Sequence, residues 1–184
     1  MQLRSRRASL AVLVIVSAAF AAHLGARSAA GEPQRLRSVC GGDRWTVKTL
    51  QDRPGLIAVK ETTVAYLVSL PQPAELYNTR LPFERYKFQV IAAVTSVRSM
   101  YDRDLHFVLR SGDKHMIAEA PASSCTTRAT AFRRRQMAAA REAVRLCTRA
   151  RVTGVAFFDF EQGLPGEAPN VIELHPILGF TCLS

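Results

Sequence analysis

From Lys87 to the C-terminus the hydrophobic period switches between two and about 3.6 in an order that few folds can use. Lys87–Met100 is rich in β-branched residues, and Asp104–Arg110 alternates Leu105, Phe107 and Leu109 with His106, Val108 and Arg110. Lys114–Ala120 follows after the turn residues Ser111, Gly112 and Asp113, which predicts a hairpin. Ala131–Thr148 then carries Phe132, Met137, Ala140, Val144 and Cys147 at helical spacing, with Thr130 placed to cap it. Arg151–Phe160 and Asn170–Phe180 read as two further strands, joined by a loop holding Gly163, Pro165, Gly166 and Pro169. Three strands, a helix and two strands predict a mainly β chain, a β-barrel of OB-fold type with β-β-β-α-β-β order.

Residues 1–30 have the three-part layout of an export signal: Arg4, Arg6 and Arg7, an uncharged run from Ala8 to Ala22, then Ser28, Ala29 and Ala30. That run is too short to cross a bilayer, so no stable transmembrane anchor is expected once the leader is cleaved. The expected location is outside the cytoplasm, periplasmic or extracellular. The leader carries four arginines and no acid, so its removal leaves a charge four lower than the +10 of the whole chain. A moderate basic excess of this kind admits a polyanion or a cell-envelope component as partner without specifying one. The remaining chain divides into an N-terminal extension over 31–84, packed on the barrel, and a barrel domain over 85–184. In the extension, alternation around Trp45 suggests an added strand. Thr62 or Thr63 can cap a short helix that ends before Pro71.

The four cysteines are Cys40, Cys125, Cys147 and Cys182, and an oxidising compartment favours two bridges among them. Their spacing is unlike that of a zinc site, and three pairings exist. A hairpin centred near residue 165 brings Cys147, at the end of the helix, to the same end as Cys182, just past the last strand. That register predicts Cys147 with Cys182, leaving Cys40 to pair with Cys125. The rival Cys125–Cys147 bridge has to span the intervening helix.

Hairpin register also sets His106 opposite Glu119, Asp159 near Val171, and Phe157 near Glu173 with His175 two residues on. If the two hairpins meet, His106, Glu119, Asp159, Glu173 and His175 converge. Carboxylates and imidazoles together suit acid–base catalysis or a divalent cation, though no fixed motif selects either, and no cofactor is indicated. The alternative is a set of polar positions on half-solvated strands. A second candidate, for binding, is the basic helix face of Arg133, Arg134, Arg141 and Arg145, whose guanidinium groups suit phosphates and carboxylates.

Three longer stretches, Cys40–Thr49, Asp104–Leu109 with Met116–Glu119, and Val152–Phe160 running to Ala168–Pro176 with its Ile-Glu-Leu-His-Pro ending, resemble a family of exported bacterial proteins of unassigned function. The resemblance implies a compact secreted domain and carries no activity, substrate or catalytic set. On these grounds the chain is expected to be an exported, disulfide-stabilised OB-like binding or accessory domain. The alternative is a secreted metal-dependent hydrolase, nuclease-like in its chemistry.

Overall fold

The computed structural model describes residues 40–183; the expected leader lies outside them. In chain order the strands are Val59–Glu61 (β1), Lys87–Ser99 (β2), Leu105–Ser111 (β3), Lys114–Ala120 (β4), Cys147–Phe158 (β5) and Ile172–Cys182 (β6). The α-helices are Trp45–Lys48 (α1), Val64–Val68 (α2) and Ala131–Ala143 (α3). The sheet order is β1-β2-β3-β4-β6-β5, and β5 returns to pair with β2. Strands β2 to β6 therefore close a five-stranded barrel, with α3 between its third and fourth strands. Its one parallel pairing joins β4 to β6. This is the arrangement of the OB-fold.

Closure depends on the length of β2. Its first half pairs with β5, and its second half with β3, with register shifts at Ala92/Val94 and Val94/Ser96. Such bulges bend a strand and let it turn from one neighbour to the other. Gly154 on β5 marks a close approach: a Cβ there would sit 2.8 Å from Cβ of Leu174. Side chains of one parity, among them Phe88, Val90, Phe107, Leu109, Met116 and Leu174, fill the barrel interior. Val155 and Leu178 face the other way and pack with Leu50, Ala129 and Met137. The barrel wall is thus covered on part of its outer face as well.

Three local expectations are corrected. The segment around Trp45 is one helical turn, Trp45–Lys48, and pairs with no strand. Helical spacing lets Arg44 and Lys48, four residues apart, reach the same ring, Phe157, at 4.7 and 5.5 Å. Helix α3 ends at Ala143, with Val144 already extended, so Cys147 opens β5. Phe132, expected on the buried stripe, is 57% exposed, and Met137 and Ala140 form the buried face. Thr63 does cap α2, its hydroxyl accepting from the Tyr66 amide at 3.1 Å. Disulfides join Cys40 to Cys125 and Cys147 to Cys182. Among the described residues no helix is long and apolar enough to cross a membrane.

Candidate functional site

Alternation along a strand decides which side chains meet on the outer wall. On β3 the interior takes Phe107 and Leu109, which turns His106 outward; its partner across the hairpin is Glu119 on β4. On β6 the interior takes Ile172 and Leu174, which turns out Glu173 and His175. The parallel register Ile117–Glu173 and Ala118–Leu174 then carries Glu119 alongside His175. Strand β5 adds Phe157 opposite Glu173, and the Asp159 amide donates to Val171 O at 3.0 Å just beyond it. All five sequence candidates, His106, Glu119, Asp159, Glu173 and His175, are brought together. None is solvated: each is less than one-tenth exposed.

The cluster is a chain of ionisable groups. The His106 Nδ1 contact to Glu119 Oε1 is 3.1 Å. Glu119 Oε2 lies 3.0 Å from His175 Nδ1, and Asp104 Oδ2 lies 3.2 Å from His175 Nε2. Glu173 Oε2 stands 3.6 Å from the same Nδ1. These carboxylates crowd His175 without aligning on its N–H directions. Neither ring nitrogen, neither Asp104 oxygen, nor Glu173 Oε2 makes a hydrogen bond, though all are buried. Phe157 packs edge-on against the ring, with centroids 5.6 Å apart.

A roof closes over this row. Residues around α1 are tied down by Cys40–Cys125 and by Gln51 Nε2 donating to Cys125 O at 3.1 Å. From the roof, Lys48 Nζ donates to Asp159 Oδ2 at 2.7 Å. Burial alone would lower the Lys48 pKa, but Asp159 and then Glu173 hold it above the ordinary lysine value. Arg44 forms a paired fork with Glu84 at 2.6 and 2.7 Å, both side chains fully buried, and also donates to the carbonyls of Tyr77, Thr79 and Phe158. Glu84 in turn accepts from the amides of Leu81 and Phe158. Every donor of the guanidinium is used.

The carboxylates differ in consequence. Burial, reinforced by the charge of Glu119, pushes Glu173 up to about 7. Glu119 is equally buried, which would raise it, yet His175 and the His106 contact hold it well below the carboxylate range. Burial opposes charge on His175 too; Glu119 first, then Asp104, keep its pKa well above that of free imidazole.

One member of the row borders a surface groove. His106 lines a groove of about 150 Å³ with Ser96, Arg98, Met100, Val108, Leu164, Pro165 and Gly166. The ionised Glu119 can only accept, so in this contact Nδ1 is the donor and Nε2 is the ring nitrogen left as an acceptor. Arg98 is exposed and has no ion pair among the described residues. Gly166, at φ 92°, presses the 159–171 loop onto β3: a Cβ there would meet Val108 Cγ2 at 2.3 Å.

The basic helix face is spent largely on its own surroundings. Arg134 donates to Thr127 O, Arg141 to Ala120 O, Arg145 to Ala143 O, and Arg133 to the Gln136 side chain. Sequence reasoning missed Asp104, although it shares the parity of His106 and lies just before β3. It also missed Lys48, Arg44 and Glu84, whose roles depend on contacts between segments far apart in the chain. The available signal was the pair of cations four residues apart.

No family model matches the chain, and no curated protein matches it. Among solved structures it is similar to a chain from Leishmania major Friedlin assigned provisionally as an aspartyl-tRNA synthetase, at 16% identity and a TM-score of 0.42. The likeness covers 68% of this chain and 21% of that one, so this chain spans about a fifth of that protein. A likeness at this level carries no information about ligand or activity.

Proposed function

We propose that this is an exported binding domain that takes one unit of an anionic polysaccharide in the groove beside His106. The observation that carries the reading is an exposed Arg98, without an ion pair among the described residues, next to His106 in a groove between β2–β3 and the 159–171 loop. OB barrels take extended ligands beside the loops that follow their first and fourth strands, and Met100 and Leu164–Gly166 belong to those two loops. At about 150 Å³ the groove is smaller than the roughly 300–1,000 Å³ of sites that enclose a whole small molecule, so it suits one residue of a longer chain. Arg98 offers a planar donor fork to a carboxylate, His106 Nε2 and Ser96 can bond hydroxyls, and Met100, Val108 and Pro165 give an apolar wall.

Two features favour this over the neighbouring readings. Single-stranded nucleic acid binds OB barrels on stacking aromatics, and no Phe, Tyr or Trp lines this groove. A metal-dependent hydrolase needs its carboxylates open to substrate, whereas Asp104, Glu119, Glu173 and His175 lie under the roof. Two disulfides agree with an oxidising compartment.

Calorimetric titration tests the reading with three probes of equal length: an oligogalacturonate, a neutral oligoglucan and an oligothymidylate. The expected result is salt-sensitive binding of the oligogalacturonate, weakened about tenfold or more by Arg98→Ala, a loss of at least about 1.4 kcal/mol. Tighter binding of the oligothymidylate, or oligogalacturonate binding indifferent to Arg98→Ala, overturns it.

A further inference from the structure

We propose that Asp104, Glu119 and His175 hold a divalent transition-metal ion, a structural centre between the barrel wall and its roof, with Glu173 as the adjoining carboxylate. Each of the three residues offers one ligand atom, and these atoms lie within 4.8 Å of one another. Donors around a tetrahedral ion with bonds near 2.1 Å sit roughly 3–3.5 Å apart, so small side-chain rotations gather them.

The independent observation is the set of buried atoms left without hydrogen bonds: both Asp104 oxygens, Glu173 Oε2 and both nitrogens of His175. A buried polar atom left without a hydrogen bond keeps its desolvation cost uncompensated. They occur together at one point, while neighbouring buried charges are fully matched, as Arg44 is by Glu84 and Lys48 by Asp159. A protonated imidazole has two N–H groups and three carboxylates around it, so it can satisfy two of them at most. Lys48 is bonded to Asp159, and no further cationic side chain is ion-paired with Asp104 or Glu173 among the described residues. A divalent ion takes up the surplus negative charge and the lone pairs together. One imidazole nitrogen with carboxylate oxygens is a donor set for zinc or manganese more than for calcium, which prefers six or more oxygens.

The second shell is already in place. Glu119 Oε1 is held by His106. An ion here would stiffen the strand that carries His106 to the groove, but the site does not rest on the polysaccharide reading.

The test uses the oxidised, untagged protein. Elemental analysis after exhaustive dialysis against zinc-free buffer is followed by EDTA treatment and by thermal unfolding with added Zn²⁺, Mn²⁺ or Ca²⁺. About one equivalent of zinc or manganese per chain is expected, with a rise in Tm of several degrees over the EDTA-treated protein and little response to Ca²⁺. Asp104→Asn keeps the side-chain shape and should abolish the metal-induced rise while remaining folded in EDTA. His115→Gln, at the other end of β4 and outside the cluster, should keep that rise. The proposal fails if wild-type protein neither retains nor responds to zinc or manganese, or if Asp104→Asn responds as wild type does. Failure of Asp104→Asn to fold is covered by Glu119→Gln and by anomalous scattering from wild-type crystals soaked in Zn²⁺, where a peak away from His175 equally refutes the site.

Discussion

Arg44→Met should destabilise this domain more than any other single substitution in the roof. The wild-type guanidinium is fully buried and spends all five N–H groups on Glu84 and the carbonyls of Tyr77, Thr79 and Phe158. Methionine fills much of the same space but leaves the Glu84 carboxylate buried with only the Leu81 and Phe158 amides for company. Breaking a buried pair from one side costs about 3–5 kcal/mol, a large part of the roughly 5–15 kcal/mol that holds a domain together. For a chain of this length that corresponds to a fall in Tm of roughly 6–20 °C. The assay is urea unfolding of the oxidised protein followed by Trp45, the only tryptophan, which adjoins the substituted position, with far-ultraviolet circular dichroism as the second probe. Arg44→Met combined with Glu84→Leu should recover part of the loss, because the orphaned charge goes too. A cost below about 1 kcal/mol for Arg44→Met, or no recovery in the double variant, would refute the assignment of Arg44 as the clip between roof and barrel.

Other outcomes follow from the same geometry. Removing Cys40–Cys125, with 85 residues between its ends, should cost about 4–5 kcal/mol, and removing Cys147–Cys182, with 35, slightly less, about 4 kcal/mol. Only the first should raise hydrogen exchange at Val47–Leu50, as mass spectrometry of the amides would reveal. Lys48 has its pKa raised above its unfolded value of 10.5, so the stability it contributes is complete below about pH 10.5 and fades as pH climbs through the higher folded value. The gap in unfolding free energy between wild type and Lys48→Met should therefore be flat from pH 8 to 10 and narrow above it; a gap that widens with pH contradicts the pairing with Asp159. Gly166→Ala should loosen the 159–171 loop and cost about 1–2 kcal/mol, and Val108→Ala in the same chain should return part of that, both read by urea unfolding.

The barrel was legible because its strands keep a period near two between their bulges and its helix one of about 3.6. Parity alone put His106 opposite Glu119 and Phe157 opposite Glu173, and hairpin geometry put Cys147 beside Cys182. The link between the hairpins was not contained in parity: the parallel pairing of β4 with β6 follows only once the barrel closes, and it is what brings Glu119 to His175. The roof was hidden for a different reason. Alternation over a stretch as short as Trp45–Val47 does not separate a strand from one turn of helix, and the contacts of Arg44 and Lys48 with the Phe157 ring appear only in the folded chain. The signals that Arg44, Lys48 and Asp104 matter lie in their partners, 33 to 114 residues away for Arg44 and Lys48 and across the fold for Asp104.

The most direct test of the binding account is a residue-resolved nuclear magnetic resonance titration of the labelled protein with an oligogalacturonate at low salt. Shifts should concentrate at Ser96–Met100, His106–Val108 and Leu164–Gly166, with the His106 ring responding at Nε2 and the His175 ring unmoved. Shifts centred instead on Arg133, Arg134, Arg141 and Arg145, or none at saturating oligomer, would contradict it.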